Sequence, residues 1–480
     1  MGIKKNIVYS SILTVSNFLF PFLTYPYVSR VLGVTNIGIC NFVDSIINYY
    51  ILFSMMGMST IAIREIAKNN GNKEQLSRVF SSLFILNTIS TFIVLVILFL
   101  SIYLVPTLYQ YRELMYVGAF KLLFNYLLIE WFYKGIEEFK YITQRTIFLR
   151  CIYVLLIFVF VRERDDYDIY YIISVLIIVI NAIINLIYSK RFIHFSCKNI
   201  SLSSYLKSFF ILGLYSLLTS MYTSFNVAYL GFVSGEKEVG YYTTAIKLYT
   251  VLLSLFTAFT GVMMPRMSAL VAEKRYAEFK HFTEISINVL LIFTMPIIVL
   301  SLAFTPQIVT FIAGSEYINA VLPMRIVMPL MLIIGYEQII IVQILMPLQK
   351  DKAVMINSIL GALVGISMNL LLVSTLKSVG SALVWFSAEI VVLCSGQYFV
   401  TKYVRLVFPY KKIIHHILLA IPIFILCYSI SILDICSSLI LIIGTISVVL
   451  YYGFIDILIL KDENVISLIV KLKKKLSRCE

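Results

Sequence analysis

The sequence predicts an all-α integral membrane protein of about fourteen transmembrane helices, arranged as two parallel six-helix lobes plus two C-terminal helices. Three observations predict it. Apolar residues fill 60% of the 480 positions and charged residues 13%, against roughly 45–50% and 25% in soluble domains. Apolar runs of about 20 residues, enough to cross ~30 Å of hydrocarbon at 1.5 Å per residue, recur along the whole chain. Lys and Arg concentrate in alternate connecting segments, as the positive-inside rule requires.

The first run, residues 7–28, follows Lys4 and Lys5. It is too long for a signal-peptide core and ends in Pro26, Tyr27 and Arg30 rather than a small-residue cleavage site, so it reads as a retained span. The expected spans are 7–29, 38–62, 79–103, 114–133, 146–161, 169–189, 208–232, 241–264, 284–304, 319–345, 354–374, 380–400, 415–433 and 438–460. The fifth is the shortest, and Pro323 and Pro329 break the tenth. With the N-terminus inside, 30 of the 39 Lys and Arg fall in inner segments or, as Arg150 does, at the inner end of a span, six in outer segments and three deeper inside spans. The net charge of +14 is thereby explained by membrane topology, with both termini cytoplasmic, and no nucleic-acid partner is expected. All connecting loops are short, so no soluble catalytic domain is expected and any chemistry must lie within the membrane.

An internal repeat organises the spans. Ile37-Gly38 and Val239-Gly240 lie 202 residues apart, as do Arg64 and Arg266, and Lys73 and Arg275. A Leu-Gly pair precedes each copy, Leu32-Gly33 and Leu230-Gly231, at an offset of 198 that implies a small gap. Six spans per copy is an even number, which gives parallel repeats related by an axis along the membrane normal. The expected units are an N-terminal lobe 1–200, a C-terminal lobe 201–410, helices 13 and 14 in 411–460, and a basic cytoplasmic tail 461–480.

Asp44, Lys121, Glu130, Lys247, Arg325, Glu337, Glu389 and Asp456 fall inside spans. Each would cost about 2.5–3.5 kcal/mol at the centre of a lipid-facing helix, so they should line an interior; Glu130 and Asp456 are near enough to inner ends to snorkel. Lys121, Lys247 and Arg325 sit on even-numbered spans, roughly 9–12 Å from the outer end. With Arg30 they form a cationic group in the outer half of the bundle. Two readings stand side by side: a cavity that receives an anion, or salt bridges to Asp44, Glu337 and Glu389. The same three carboxylates are candidates for ion coupling.

Pro21 and Pro26 in span 1, Pro296 in span 9 and the span 10 prolines are candidate hinges. Gly361 and Gly365 form a GxxxG that suits close helix packing. The sequence contains no Walker A loop and no HExxH, its four histidines lie at span ends or inner loops, and its seven cysteines show no metal-ligand spacing. No catalytic residue, cofactor or metal site is expected. The run Asp165-Asp166-Tyr167-Asp168 reads as a solvated acidic turn.

The segment Pro26-Tyr27-Val28-Ser29-Arg30-Val31-Leu32-Gly33, then Ile37-Gly38 and Arg64-Glu65-Ile66-Ala67-Lys68, resembles the start of the polysaccharide-unit (O-antigen or capsule repeat unit, Wzx-type) flippases of the multidrug/oligosaccharidyl-lipid/polysaccharide exporter superfamily. Residues 131–140, 240–247, Pro265-Arg266 and the Gly314 to Tyr317 turn extend the resemblance over roughly residues 7–400. It implies a two-lobed, fourteen-helix flippase of the bacterial inner membrane that carries an undecaprenyl-diphosphate-linked oligosaccharide from the cytoplasmic to the outer leaflet by alternating access, with membrane lipid, a polysaccharide polymerase and a chain-length regulator as partners. Arg30 and Lys247 stand at family motif positions, whereas Lys121 and Arg325 join them on charge and depth alone. An anion of about two charges leaving a negative interior would gain ~4–5 kcal/mol per 100 mV, so ion coupling is optional. The alternatives are an ion-coupled multidrug or toxin extruder, which favours an acidic, aromatic cavity, and a membrane-embedded polysaccharide polymerase or acyltransferase. A polymerase calls for a large outer loop and an acyltransferase for an intramembrane His; neither is present.

Overall fold

The computed structural model describes residues 3–69, 71–195, 202–433 and 436–455. Asp456 and the basic tail 461–480 lie outside the described residues. Among the described residues the chain is helical with no strand. The first half runs α1 (Ile3–Met55), α2 (Met58–Lys68), α3 (Lys73–Leu104), α4 (Pro106–Gln110), α5 (Arg112–Asn125), α6 (Glu130–Gly135), α7 (Phe139–Phe160) and α8 (Tyr167–Ser189). The second runs α9 (Ser203–Thr223), α10 (Phe225–Ser234), α11 (Glu236–Ala272), α12 (Tyr276–Ala303), α13 (Thr305–Ile312), α14 (Val321–Val327), α15 (Leu330–Gln338), α16 (Asp351–Met368) and α17 (Ser374–Val404). Two further helices, α18 (Tyr410–Ser431) and α19 (Ser437–Phe454), follow.

Among the described residues ten helices are long and apolar enough to cross a membrane, and two bent pairs bring the number to twelve. Two of these carry an internal break. The 53 residues of α1 contain Gly33 at φ 74°, and the 54-residue run 351–404 contains Lys377 at φ 52°. Unbroken, each would be about 80 Å long, more than twice the hydrocarbon thickness. Each therefore makes two spans, and the total is about fourteen. The outer surface is that of a membrane protein: Leu104 is 77% exposed, and Leu371 and Leu450 each 68%, a pattern that water would not tolerate.

Several details differ from the sequence reading. Pro21 and Pro26 do not interrupt α1, whose only non-helical residue is Gly33. The fifth span is a full 22-residue helix that starts at Phe139, so Arg145 lies within it, buried, with its guanidinium on Asn185 and 2.9 Å from Glu130 Oε1. Glu130, also 3.7 Å from Lys134, is held by these cations while its side chain stays 35% exposed. The tenth span is broken as expected, by 44° between Ser315–Val327 and Leu330–Leu345. A second bend, 51° between α9 and α10 at Ser224, has no proline to announce it. Gly361 and Gly365 do pack closely, both against Tyr222 of α9.

The repeat is visible in the backbone. Gly33 (φ 74°, ψ 172°) and Gly235 (φ 84°, ψ 174°) adopt the same conformation, open to glycine and strained for other residues, and both precede helices. They are 202 residues apart, so the register carries no gap. Gly231, which the Leu-Gly pattern suggested as the partner of Gly33, is instead helical in α10, where any side chain would overlap the Phe42 ring. Repeat-related residues also touch: a methyl at Gly38 would strike the Glu236 carbonyl, one at Gly240 the Val34 carbonyl, and Asn41 Nδ2 donates to Thr243 Oγ1 at 2.9 Å across a separation of 202. Equivalent segments can meet in this way only beside a two-fold axis. In lipid, where apolar burial alone does not drive helices together, such backbone proximity is the main source of packing energy.

Gly38→Ala should lower the thermal unfolding midpoint of the detergent-solubilised protein, at a cost of about 1–3 kcal/mol for overpacking. Gly261→Ala, with open space around it, is the control. Equal midpoints for the two variants would show that the crossing is looser than described.

Candidate functional site

Below the Gly38–Gly240 crossing, residues 34–55 of α1 and α11 diverge, and the far end of the 34–55 segment leans on α9 instead. Gly57 N donates to Phe209 O at 3.3 Å, and a side chain at Gly213 would meet Met56. Between the two contacts lies a cavity of about 440 Å³, within the ~300–1,000 Å³ of ligand pockets. Asn41, Asp44, Ser45 and Asn48 line it from the 34–55 segment, Ser220, Thr223 and Ser224 from α9 and its bend, and Thr243 and Lys247 from α11. Both halves of the chain therefore contribute. The residues at 41, 44, 45 and 48 recur at helical spacing and form one polar stripe.

Asp44 is held in a closed ring. Its Oδ1 accepts from Lys121 Nζ at 2.5 Å, its Oδ2 accepts from Asn48 Nδ2 at 3.0 Å, and Asn48 Oδ1 accepts from the same lysine at 2.8 Å. Lys121 reaches Asp44 because α5 packs tightly on α1 at Gly118, where a methyl would press on Ile47. Lys247 is placed differently. Its ammonium stands 4.0 Å from the Tyr25 ring centroid, and among the described residues no carboxylate pairs with it. A cation over an aromatic face is held by ~0.5–2 kcal/mol, so Lys247 can take an anionic partner. Two ammonium groups against one carboxylate leave the site with one net positive charge.

Of the four cations singled out in the sequence, the structure brings Lys247 to the cavity wall, while Lys121 stands behind that wall on Asp44 and Asn48 and does not itself line the cavity. Arg30, exposed at the Gly33 end, donates to Phe311 O at 2.5 Å, and Arg325 is half-buried on α14 with its Nε unpaired; neither lines the cavity. Of the three carboxylates, Asp44 is ion-paired. Glu337 on α15 and Glu389 on α17 lie apart from it, both buried, with carboxyl groups within hydrogen-bonding reach of each other. Glu389 Oε1 also accepts from Trp385 Nε1 at 2.8 Å. No basic side chain pairs with these two glutamates among the described residues. The acidic run at 165–168 is a capped turn in which Asp166 Oδ2 accepts from the backbone of Arg162 and Glu163. Sequence reasoning did not single out Asn41, Asn48, Ser220 or Thr243; the polar stripe along 41–48 was the available signal.

Residues 3–271, more than half of the chain, match the family model described as "Polysaccharide biosynthesis protein". The chain belongs to this family. It is 25% identical over 395 residues to the "Putative O-antigen transporter" of Escherichia coli (strain K12), covering 82% of this chain and 95% of that protein. The protein of the same name from Shigella dysenteriae is 24% identical over 383 residues, with 75% and 90% covered. Among solved structures, the fold resembles the lipid II flippase MurJ in its inward closed conformation, at a TM-score of 0.75 and 14% identity over 94% of this chain and 98% of that one. It also resembles an outward-facing MATE family multidrug transporter of the MOP superfamily, at a TM-score of 0.58 and 16% identity, covering 82% and 94%. The protein is thus a multi-pass membrane protein of the polysaccharide biosynthesis family with the fold of these transporters.

Lys121→Ala and Asp44→Ala should each lower stability, and the double variant should cost less than the sum, with a coupling of about 0.5–3 kcal/mol for a hydrogen-bonded pair. Strict additivity of the unfolding midpoints would show that the ring carries no energy.

Proposed function

We propose that the protein is a flippase that carries a polyprenyl-diphosphate-linked oligosaccharide, the undecaprenyl form in bacteria, from the cytoplasmic to the outer leaflet for surface polysaccharide synthesis. The observation that carries this reading is the cavity between the two halves, lined by hydroxyl and amide groups that suit sugars and by a lysine free to meet a diphosphate. Family membership and the transporter names of the relatives support it. In this reading the chain moves its substrate without altering it, and acts by alternating access in the inner membrane with both termini cytoplasmic. The two lobes are residues 1–200 and 201–410, and the polymerase and chain-length regulator of the pathway are its partners. Lys247 is the principal contact to the diphosphate. Lys121 acts through Asp44, and Arg30 and Arg325 shape the field around the path.

A second reading, an ion-coupled extruder, draws on Glu337 and Glu389. Two facing buried carboxyl groups without a basic partner suit a proton or sodium ion better than a diphosphate does. Asp44, committed to Lys121, is the weakest of the three coupling candidates.

Lys247→Ala should reduce surface glycan about tenfold or more in a complementation strain while membrane protein levels hold, because a charge-assisted contact contributes ~1.5–3 kcal/mol. Lys247→Arg should retain part of the activity. Normal display in Lys247→Ala would sink the cationic-cavity reading, and drug efflux abolished by Glu389→Gln with glycan display intact would favour the extruder.

A further inference from the structure

The 34–55 segment of α1 has a second face. Ile46, Tyr50 and Phe53 line another space, about 770 Å³, whose remaining walls are α3 with α4, and α9 with α10. The helices α3 and α9–α10 come from different halves of the chain, so this groove follows the seam between them. Apart from Ser90, Ser101 and the tyrosine hydroxyls, its lining is apolar. On the α3 side it extends from Leu86 to Val105, a rise of about 28 Å that matches the ~30 Å hydrocarbon core.

Two observations separate this groove from ordinary lipid-facing surface. The opposite seam, where the start of α1 meets α11, is shut: Tyr25 Oη and Thr244 Oγ1 are 2.6 Å apart, and the space beside them is about 10 Å³. The groove, in contrast, adjoins the polar cavity, and Tyr49 lines both. The partition there is thin. Tyr49 Oη donates to Ser220 O at 2.9 Å, and its ring meets Phe225 edge-on at 6.1 Å.

We infer that the groove holds the polyprenyl tail of the substrate while its diphosphate enters the cavity past Tyr49 and Phe225, which form a side gate. The inference rests on the flippase reading above. An anionic head group is unfavourable in hydrocarbon and a long tail is unfavourable in a polar cavity. A cationic, hydroxyl-lined space beside an apolar groove accommodates both ends of such an amphiphile at once. Because the groove crosses the full apolar depth, the tail can stay in it wherever the head stands.

The test uses the full chain in vesicles of phosphatidylethanolamine and phosphatidylglycerol containing radiolabelled undecaprenyl diphosphate. A photoactivatable phenylalanine analogue is placed at Ile93 or Phe210 in the groove, or at Leu371, which is exposed elsewhere. Labelled lipid should cross-link at positions 93 and 210 in about tenfold excess over 371, and unlabelled undecaprenyl diphosphate should compete while phosphatidylglycerol does not. Equal yields at the three positions, or competition by phosphatidylglycerol, would mean ordinary lipid only and would overturn the inference. Glycan display in a complementation strain separates the two claims. A chain that restores display but cross-links evenly sinks the groove alone, whereas one that cross-links in the groove but cannot restore display sinks the flippase reading.

Discussion

The backbone contact between Gly38 and Gly240 is the constraint on which the rest of the architecture depends. No side chain larger than hydrogen fits at either position, so the 34–55 segment and α11 cross almost backbone to backbone and must diverge away from that point. The cavity is the wedge this divergence leaves. Asn41, Asp44 and Asn48 on one wall, and Thr243 and Lys247 on the other, follow the two glycines at short helical intervals. Their place in the wedge is a consequence of the crossing. Gly33 and Gly235, with matching conformations just before the crossing, let each chain enter it from a turn.

The charges around this wedge divide into two kinds. Asp44, Lys121 and Asn48 satisfy one another with three hydrogen bonds, which lets an intramembrane carboxylate exist at all and leaves little of its valence for a ligand. Lys247, among the described residues, has only an aromatic face against its ammonium. A cation–π contact is weak beside a charge-assisted hydrogen bond to phosphate oxygen, so an incoming diphosphate would gain energy by displacing it. One lysine is therefore structural and the other free to exchange partners, although the sequence presents them alike.

Span number and the repeat were legible because hydropathy, charge alternation and matched spacing all follow from the bilayer itself. The site was legible only in part. Lys247 and Asp44 stood out as charges where charges are costly, but the pairing of Lys121 with Asp44 depends on a close approach at Gly118 between helices far apart in sequence. The bend at Ser224, which brings Ser220 and Ser224 to the cavity, has no proline or glycine to betray it. The Leu-Gly match at Gly231 misled because a packing glycine and a turn glycine are the same letter. Only φ, or the ring of Phe42 above it, separates the two.

The contacts that close the seam are individually weak at both ends. At the Gly33 end, Arg164 pairs with Glu316 across the two halves, but these side chains are 66% and 44% exposed, and such pairs contribute ~0–1 kcal/mol. Tyr317 adds a hydroxyl hydrogen bond to Ser29 O at 3.3 Å. At the other end the closure consists of Gly57 on Phe209 and Tyr49 on Ser220. Each of these contacts alone is small beside the ~5.5 kcal/mol that takes a two-state equilibrium from 1:99 to 99:1. The strong contact lies between them, at the glycine crossing. A scaffold held firmly in the middle and by small separate contacts at both ends could exchange one closure for the other without unfolding, as the proposed movement of a head group between leaflets would require.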